Sequence, residues 1–186
     1  MKFTEKVRST AESYVKKIQA AEKAVADHQK YGIEEYSNAR YQEILFELQE
    51  KASEAHREGV AAVNAIIDEY IAELPRRFAA DGAELNTGDM ALLNSGYKLT
   101  QADLEAMFDR YKPANGVTNH TMIRAIMDYC EEHEIYIARV YHGEKAKAAA
   151  ADALKRYALN CFQRPDYGME TEEYFAQIFP DALAGE

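Results

Sequence analysis

The first 74 residues contain almost no residue that breaks a helix. Proline is absent between Met1 and Leu74, and glycine occurs in this stretch only at Gly32 and Gly59. Apolar and small residues recur there at alternating steps of three and four, which is the spacing of one face of an α-helix. The pattern predicts long helices that pack on other helices.

We expect two helices in this stretch. The first covers residues 4–28, with Thr4 as its N-cap, and Gly32 can take the left-handed conformation that closes a helix. The second covers residues 34–74 and ends at Pro75, so that it spans about 60 Å. A reversal near Gly32 gives a helical hairpin. The alternative is one nearly continuous helix kinked at Gly32, which favours a bundle of several chains.

The second helix carries a seam of apolar and small residues. A helix of this length exceeds the usual helix of a compact domain, so we expect it to need a coiled-coil partner. Glycine at position 59 costs about 1 kcal/mol relative to alanine in a helix interior, and either close packing or a kink would account for it. We predict that this seam mediates self-association; its residues are Tyr41, Leu45, Leu48, Ala52, Ala55, Gly59, Ala62, Ile66 and Tyr70.

A polar loop after Pro75 suggests a boundary, with a hairpin or coiled-coil region at residues 1–75 and a compact helical region at residues 76–186. The fold class is therefore predicted to be all-α. Residues 135–141 alternate like a strand, but no second strand is available, so we expect helix or extended linker. The remaining predicted helices are residues 89–94, residues 101–112 (capped by Thr100 with Asp103 three residues on), residues 119–133, the alanine-rich residues 144–162, and a last short helix from Thr171.

The composition favours a soluble, folded protein in the cytoplasm. Hydrophobic residues make up 47% of the chain, and 32 acidic against 22 basic residues give a net charge of −10. This charge indicates either simple solubility or an acidic surface for basic partners, and it disfavours direct binding to nucleic acid. No signal peptide or membrane span is expected. Cys130 and Cys161 are expected to be reduced and buried, a disulfide between them being the alternative.

No motif for catalysis, a cofactor or a metal stands out. No Glu-x-x-His or His-Glu-x-x-His spacing occurs at any of the five histidines, and no phosphate-binding loop is present. Cys130 and His133 share the spacing of one helix face, but a second matching ligand pair is missing. Residues 101–133 resemble a helix-turn-helix only superficially, because the second helix is acidic. We therefore expect a protein that is not an enzyme and that has no cofactor.

The middle segment contains a characteristic set of residues: Leu92, Leu93, Asn94, Ser95, Gly96, Leu99, Thr100, Asp103, Leu104, Tyr111, Lys112, Thr121, Met122 and Arg124. This set resembles a pattern in small phage and prophage proteins of Gram-positive bacteria, which are mostly of unassigned function. The resemblance covers residues 1–133 and includes the long charged helical segment that precedes the pattern. It implies a phage-derived structural or assembly role, in the host cytoplasm or the virion, and it implies no active site.

Two functions follow from these patterns. The first is a self-associating structural or assembly protein, similar to a scaffold, that forms a homo-oligomer and can have a protein partner. The second is an acidic binding module that blocks a basic or nucleic-acid-binding partner.

Overall fold

The regular structure of the chain is helical, as predicted. The computed structural model describes residues 2–113, 117–164 and Leu183, the side chain of Glu35 excepted, and no strand occurs among them. The last predicted helix, from Thr171, lies outside these residues. The elements are α1 (Phe3–Glu35), α2 (Asn38–Arg77), a short 3₁₀ helix (Gly82–Glu84), α3 (Thr87–Asn94), α4 (Gln101–Tyr111), α5 (His120–Glu132) and α6 (Glu144–Gln163).

Helices α1 and α2 form an antiparallel hairpin. Near the start of α1, the ring of Phe3 stacks on that of Tyr70 with centroids 3.8 Å apart. Near the end of α1, the ring of His28 stacks on that of Tyr41 at 4.7 Å. The chain therefore folds back on itself, and the predicted hairpin is confirmed over the alternative of one nearly continuous helix.

The reversal does not occur at Gly32, where the sequence predicted it. Helix α1 continues to Glu35 and is followed by Tyr36, whose N–H donates to the Gly32 carbonyl at 3.1 Å. Glu34, predicted to start the second helix, lies in α1. Gly32 serves a close approach instead, because a Cβ atom there would lie only 2.6 Å from the imidazole of His28.

Pro75 does not end α2, which contradicts the second boundary prediction. The helix continues to Arg77, and the N–H of Phe78 still donates to the Leu74 carbonyl at 2.9 Å. Proline removes its own N–H from the helical ladder and its ring crowds the carbonyl of Ile71, but the N–H groups that follow it can still donate. The neighbouring hydrogen bonds are therefore sufficient to complete the turn.

The chain divides into two compact units, and the division differs from the predicted one. One unit combines the hairpin up to Glu73 with the segment that begins at Lys145, and the other is Leu74–Glu144. The predicted compact region, residues 76–186, contains α6 together with the shorter helices. In the structure, Phe162 of α6 lies beside Gly59 of α2, and Lys155 Nζ lies 3.6 Å from Asp68 Oδ1.

The unit Leu74–Glu144 is built around the packing of α4 on α5. Its core contains Leu93, Leu99, Leu104, Met107, Phe108, Ile123, Ile126, Tyr129, Cys130 and Ile137. The residues after α5 run as an irregular segment, in agreement with the expected extended linker. Arg139 fastens this segment to α4, since its Nε and Nη2 atoms each lie 2.7 Å from a different carboxylate oxygen of Asp109.

Candidate self-association surface

Only part of the hairpin contains buried side chains. We call residues 3–18 of α1 and 59–73 of α2 the inner half, and residues 19–35 and 38–58 the outer half. Among outer-half residues whose burial is described, Gly32 alone is buried, and it has no side chain. The buried side chains belong to the inner half and α6: Val7, Ala11, Val15, Ile18, Val63, Ile67, Tyr70, Ala150, Ala151, Leu154, Ala158 and Phe162.

Histidine side chains connect the two helices in the outer half. Nε2 of His28 lies 3.0 Å from the carbonyl oxygen of Tyr41. Because a carbonyl oxygen only accepts, Nε2 carries the proton in this hydrogen bond. Nε2 of His56 lies 3.2 Å from Oε1 of Glu22. These partly exposed polar contacts stabilise a helix pair less than the burial of aliphatic side chains does.

A groove between α1 and α2 opens on the outer half. Its volume is about 520 Å³, and the side chain of Phe46 stands at it with 66% of its surface exposed. Val25 and Ala52 give the groove an apolar part, while Glu22 and Glu50 add carboxylates. The complete lining is Glu22, Val25, Phe46, Gln49, Glu50, Ala52 and Ser53.

Helix α6 ends before it reaches this groove. It runs antiparallel to α2, because Lys155 pairs with Asp68 whereas Phe162, seven residues later, approaches Gly59. The groove is lined by α2 residues between 46 and 53, beyond the point at which α6 stops. The inner half is thus covered by a third helix, and α6 does not extend over the outer half.

An exposed stripe runs along α2 through the groove. Its members follow one another at steps of three and four, so they lie on one face of the helix. The face includes two exposed large apolar side chains, Phe46 and Val60, among small and polar ones. The stripe consists of Ala39, Gln42, Phe46, Gln49, Ser53, Arg57 and Val60, all of them exposed.

The predicted self-association seam lies elsewhere on α2. Tyr41 stacks on His28, and Tyr70 stacks on Phe3. A Cβ atom at Gly59 would lie 3.1 Å from Cβ of Tyr14. At these three positions the seam faces α1 of the same chain. The other six seam residues, Leu45, Leu48, Ala52, Ala55, Ala62 and Ile66, are partly buried, and their role between copies stays a prediction.

Sequence reasoning did not identify Phe46. The residue follows Leu45, which belongs to the predicted seam, and it does not fit the three-and-four spacing of that seam. A large aromatic residue one position off an otherwise complete stripe is the signal that could have revealed it. On a helix, this single step turns the side chain by about 100°, away from the seam.

A buried carboxylate in the second unit holds two helices together. Asp89 of α3 is 7% exposed; it accepts a hydrogen bond of 2.5 Å from the hydroxyl of Tyr111, and Nη2 of Arg110 lies 3.3 Å from its Oδ2 atom. Burial, together with the hydrogen bond to Asp89, raises the pKa of Tyr111 to about 12. The network ties α3 to the end of α4.

Both cysteines are free thiols, and neither forms part of a ligand cluster. Cys130 is buried in the core of the second unit, while His133 stacks on Tyr129 with ring centroids 4.0 Å apart. Burial raises the pKa of the Cys130 and Cys161 thiols, which lowers their reactivity as thiolates. Among the described residues, no three His, Cys, Asp or Glu side chains converge as metal ligands would.

Comparisons with known proteins assign no family to the chain. No family model, curated protein or solved structure matches it. Within the described part of the chain, every helix is too short or too polar to span a membrane.

Proposed function

We propose that the protein is a non-enzymatic structural or assembly protein that self-associates through the outer half of its hairpin. One observation carries the proposal: Phe46 is exposed at a groove in the half of the hairpin where no described side chain is buried. Helices in water gain most of their stability from packing an apolar face. A second copy would supply that packing for the outer half.

The charge pattern and the resemblance to phage proteins support the same role. Lys23 with Asp27 and Arg40 with Glu43 form ion pairs within single helices of the outer half. These pairs favour isolated helices by only a few tenths of a kcal/mol each, so a partner surface is still needed. Small phage proteins with a long charged helical segment, which the sequence resembles, suggest an assembly setting.

Solution mass measured by light scattering tests the proposal. Over a range from low to several hundred micromolar, the mass should rise above that of one chain. Phe46→Glu should return the protein to a monomer, because a carboxylate in place of the ring opposes burial of the groove. The matched control is Ala20→Glu, which adds the same charge at an exposed outer-half position that does not line the groove. A monomer at every concentration would overturn the proposal.

The groove also supports an acidic binding module as a second candidate. Glu22 and Glu50 line it beside Phe46, and the chain carries a net charge of −10. This candidate predicts that a basic amphipathic helical peptide binds the monomer, with an affinity that falls as salt is added. Binding that is indifferent to ionic strength, or unchanged by Phe46→Glu, would count against it.

A further inference from the structure

We propose that two copies meet through antiparallel α2 helices, with a two-fold axis that passes between Gln49 and Glu50. Phe46 of each copy then lies over Ala52 and Ser53 of the other. This inference rests on the proposed self-association and specifies its geometry. It is carried by the order of side chains on the exposed stripe of α2.

The groove region contains both parts of a self-complementary contact. A two-fold interface uses the same patch twice, so the patch needs a protruding group and a space that accepts it. Phe46 protrudes, with 66% of its surface exposed. Ala52 and Ser53 are small and lie within the same groove, where Val25 supplies an apolar wall. Phe46 and Ser53 are equally far from the two-fold axis along the helix. The two-fold rotation therefore places the Phe46 ring of each copy over the small residues of the other copy.

The ends of the stripe repeat this arrangement of large against small. Val60 is 37% exposed, and Ala39 is exposed at the other end of the stripe. These two positions are also equally far from the point between Gln49 and Glu50. The antiparallel pairing therefore sets a valine against an alanine at each end, as it sets a phenylalanine against a serine near the centre.

Charge complementarity favours the antiparallel direction. It places Arg57 of each copy opposite Gln42 of the other, one residue away from Glu43, which also pairs with Arg40 of its own helix at 2.6 Å. Of Glu43, Glu50 and Arg57, only Glu50 lies beside its own counterpart, because it is next to the axis. In a parallel, in-register pair, Glu43, Glu50 and Arg57 would each lie beside the identical residue of the second copy. Like charges repel at such distances.

The inner half shows that this inter-helix groove accepts a helix. There α6 contributes Ala151, Leu154, Ala158 and Phe162 as buried side chains, and its Lys155 reaches Asp68 of α2. The outer groove is framed by the same two helices beyond the end of α6. A helix of a second copy can therefore continue the packing that α6 begins.

Site-directed cross-linking tests the direction of pairing. Gln49→Cys, next to the axis, should be linked between copies by a short bismaleimide that spans less than one helix diameter. Ala39→Cys should stay unlinked, because antiparallel pairing separates the two positions by about 30 Å along the helices. The unsubstituted chain is the control for linkage through Cys130 and Cys161.

The outcomes separate this inference from the proposed function. Linkage of Gln49→Cys but not Ala39→Cys, in a protein that light scattering shows to be dimeric, supports the antiparallel pair. Linkage at both positions would show a parallel pair and overturn the inference while leaving self-association intact, as would a dimer linked at neither position. A strict monomer would overturn both.

Discussion

Two close approaches in the hairpin depend on residues that lack a Cβ atom. Gly59 lets Tyr14 and Phe162 approach α2, and Gly32 leaves room for the His28 ring against Tyr41. A glycine in a helical pattern indicates that the position is constrained, but it does not show whether the cause is close packing, a kink or a helix end. Close packing is one of the two explanations that the sequence allows for Gly59. The prediction that Gly32 ends a helix is wrong, because its contacts with His28 and Tyr41 depend on the folded structure.

Gly59→Ala should destabilise the protein by up to about 2 kcal/mol. The added methyl would lie 3.1 Å from Cβ of Tyr14, an atom close to the backbone that cannot move freely. Overpacking of this kind costs about 1–3 kcal/mol, and the better helix propensity of alanine offsets about 1 kcal/mol of it. Urea unfolding at fixed protein concentration measures the difference.

The matched substitution is Gly82→Ala. No atom lies within 4 Å of a Cβ at Gly82 in the described structure, so this variant should unfold within about 0.5 kcal/mol of the original protein. An equal loss of stability in both variants would contradict the close-packing explanation.

Tyr111→Phe should remove a step from alkaline unfolding. The pKa of Tyr111 is raised to about 12 by burial and by the hydrogen bond to Asp89, above the ordinary value of 10. A folded-state pKa above the unfolded one gives stability that is present below pH 10 and is lost as the pH rises toward 12. The variant should lack this part of the pH dependence.

Ultraviolet titration of tyrosinate provides the measurement. The original protein should titrate one more tyrosine hydroxyl than Tyr111→Phe, and this hydroxyl should ionise well above pH 10. Circular dichroism must show that the protein is still folded over this pH range. If the additional hydroxyl ionises near pH 10 instead, burial and the hydrogen bond to Asp89 do not raise the pKa of Tyr111, and the prediction is wrong.

At the scale of elements, local signals predicted the start of α4 and the end of α3 correctly. The prediction of Thr4 as the N-cap of the first helix is wrong, because Lys2 is the N-cap and Thr4 lies inside α1. Thr100 caps α4, and the Thr100 N–H donates a hydrogen bond of 2.9 Å to Oδ2 of Asp103. Gly96 has a φ of 71°, which suits the turn after α3. These signals reside within four residues of sequence, so no knowledge of packing is needed to interpret them.

Thr100→Ala should cost about 1 kcal/mol of stability at neutral pH. The hydrogen bonds from Thr100 lower the pKa of Asp103, so the carboxylate's share of the capping box is present above pH 4 and is lost as the pH falls through the lowered pKa. The deficit of the variant should therefore shrink in acid. Thermal unfolding across pH measures it.

The control for this cap is Thr100→Ser, which keeps the hydroxyl that accepts from the Asp103 N–H. It should retain most of the stability at neutral pH and the same acid dependence as the original protein. A serine variant as unstable as the alanine variant would attribute the effect to the lost methyl group instead.

Other features depended on contacts between distant residues and could not be predicted. The end of α1 differs from the prediction because Gly32 packs against His28 and Tyr41. The end of α2 differs because the helix continues past Pro75 to Arg77. The periodicity of α2 showed that it packs on helices, but it could not show which stripe faces α1. The sequence contains Phe46 as a large aromatic residue one position off the seam, but the structure is needed to show that its face of α2 is exposed.

At the scale of the whole molecule, the two halves of the hairpin should differ in local stability. Opening the inner half exposes Val7, Ile18, Val63 and Ile67, whereas opening the outer half exposes no fully buried side chain among those described. Local opening free energies follow the buried contacts that are lost. Backbone amides of the outer half should therefore exchange hydrogen faster in the monomer.

Hydrogen exchange at several concentrations adds a second test of assembly. Protection of the outer half should increase as copies associate, while the inner half should change little. Phe46→Glu should abolish the concentration dependence, and Ala20→Glu should retain it. Equal protection of both halves in the monomer would contradict the predicted difference.

The insertion of one compact unit within the other has a consequence for synthesis on the ribosome. The hairpin up to Glu73 is translated first, but α6, which covers its inner half, follows only after Leu74–Glu144. At about 5–20 residues per second, several seconds pass before α6 is synthesised. Until then the apolar face of the inner half has no helix packed over it. During that interval the face of the hairpin that α6 later covers is open to contacts with other chains.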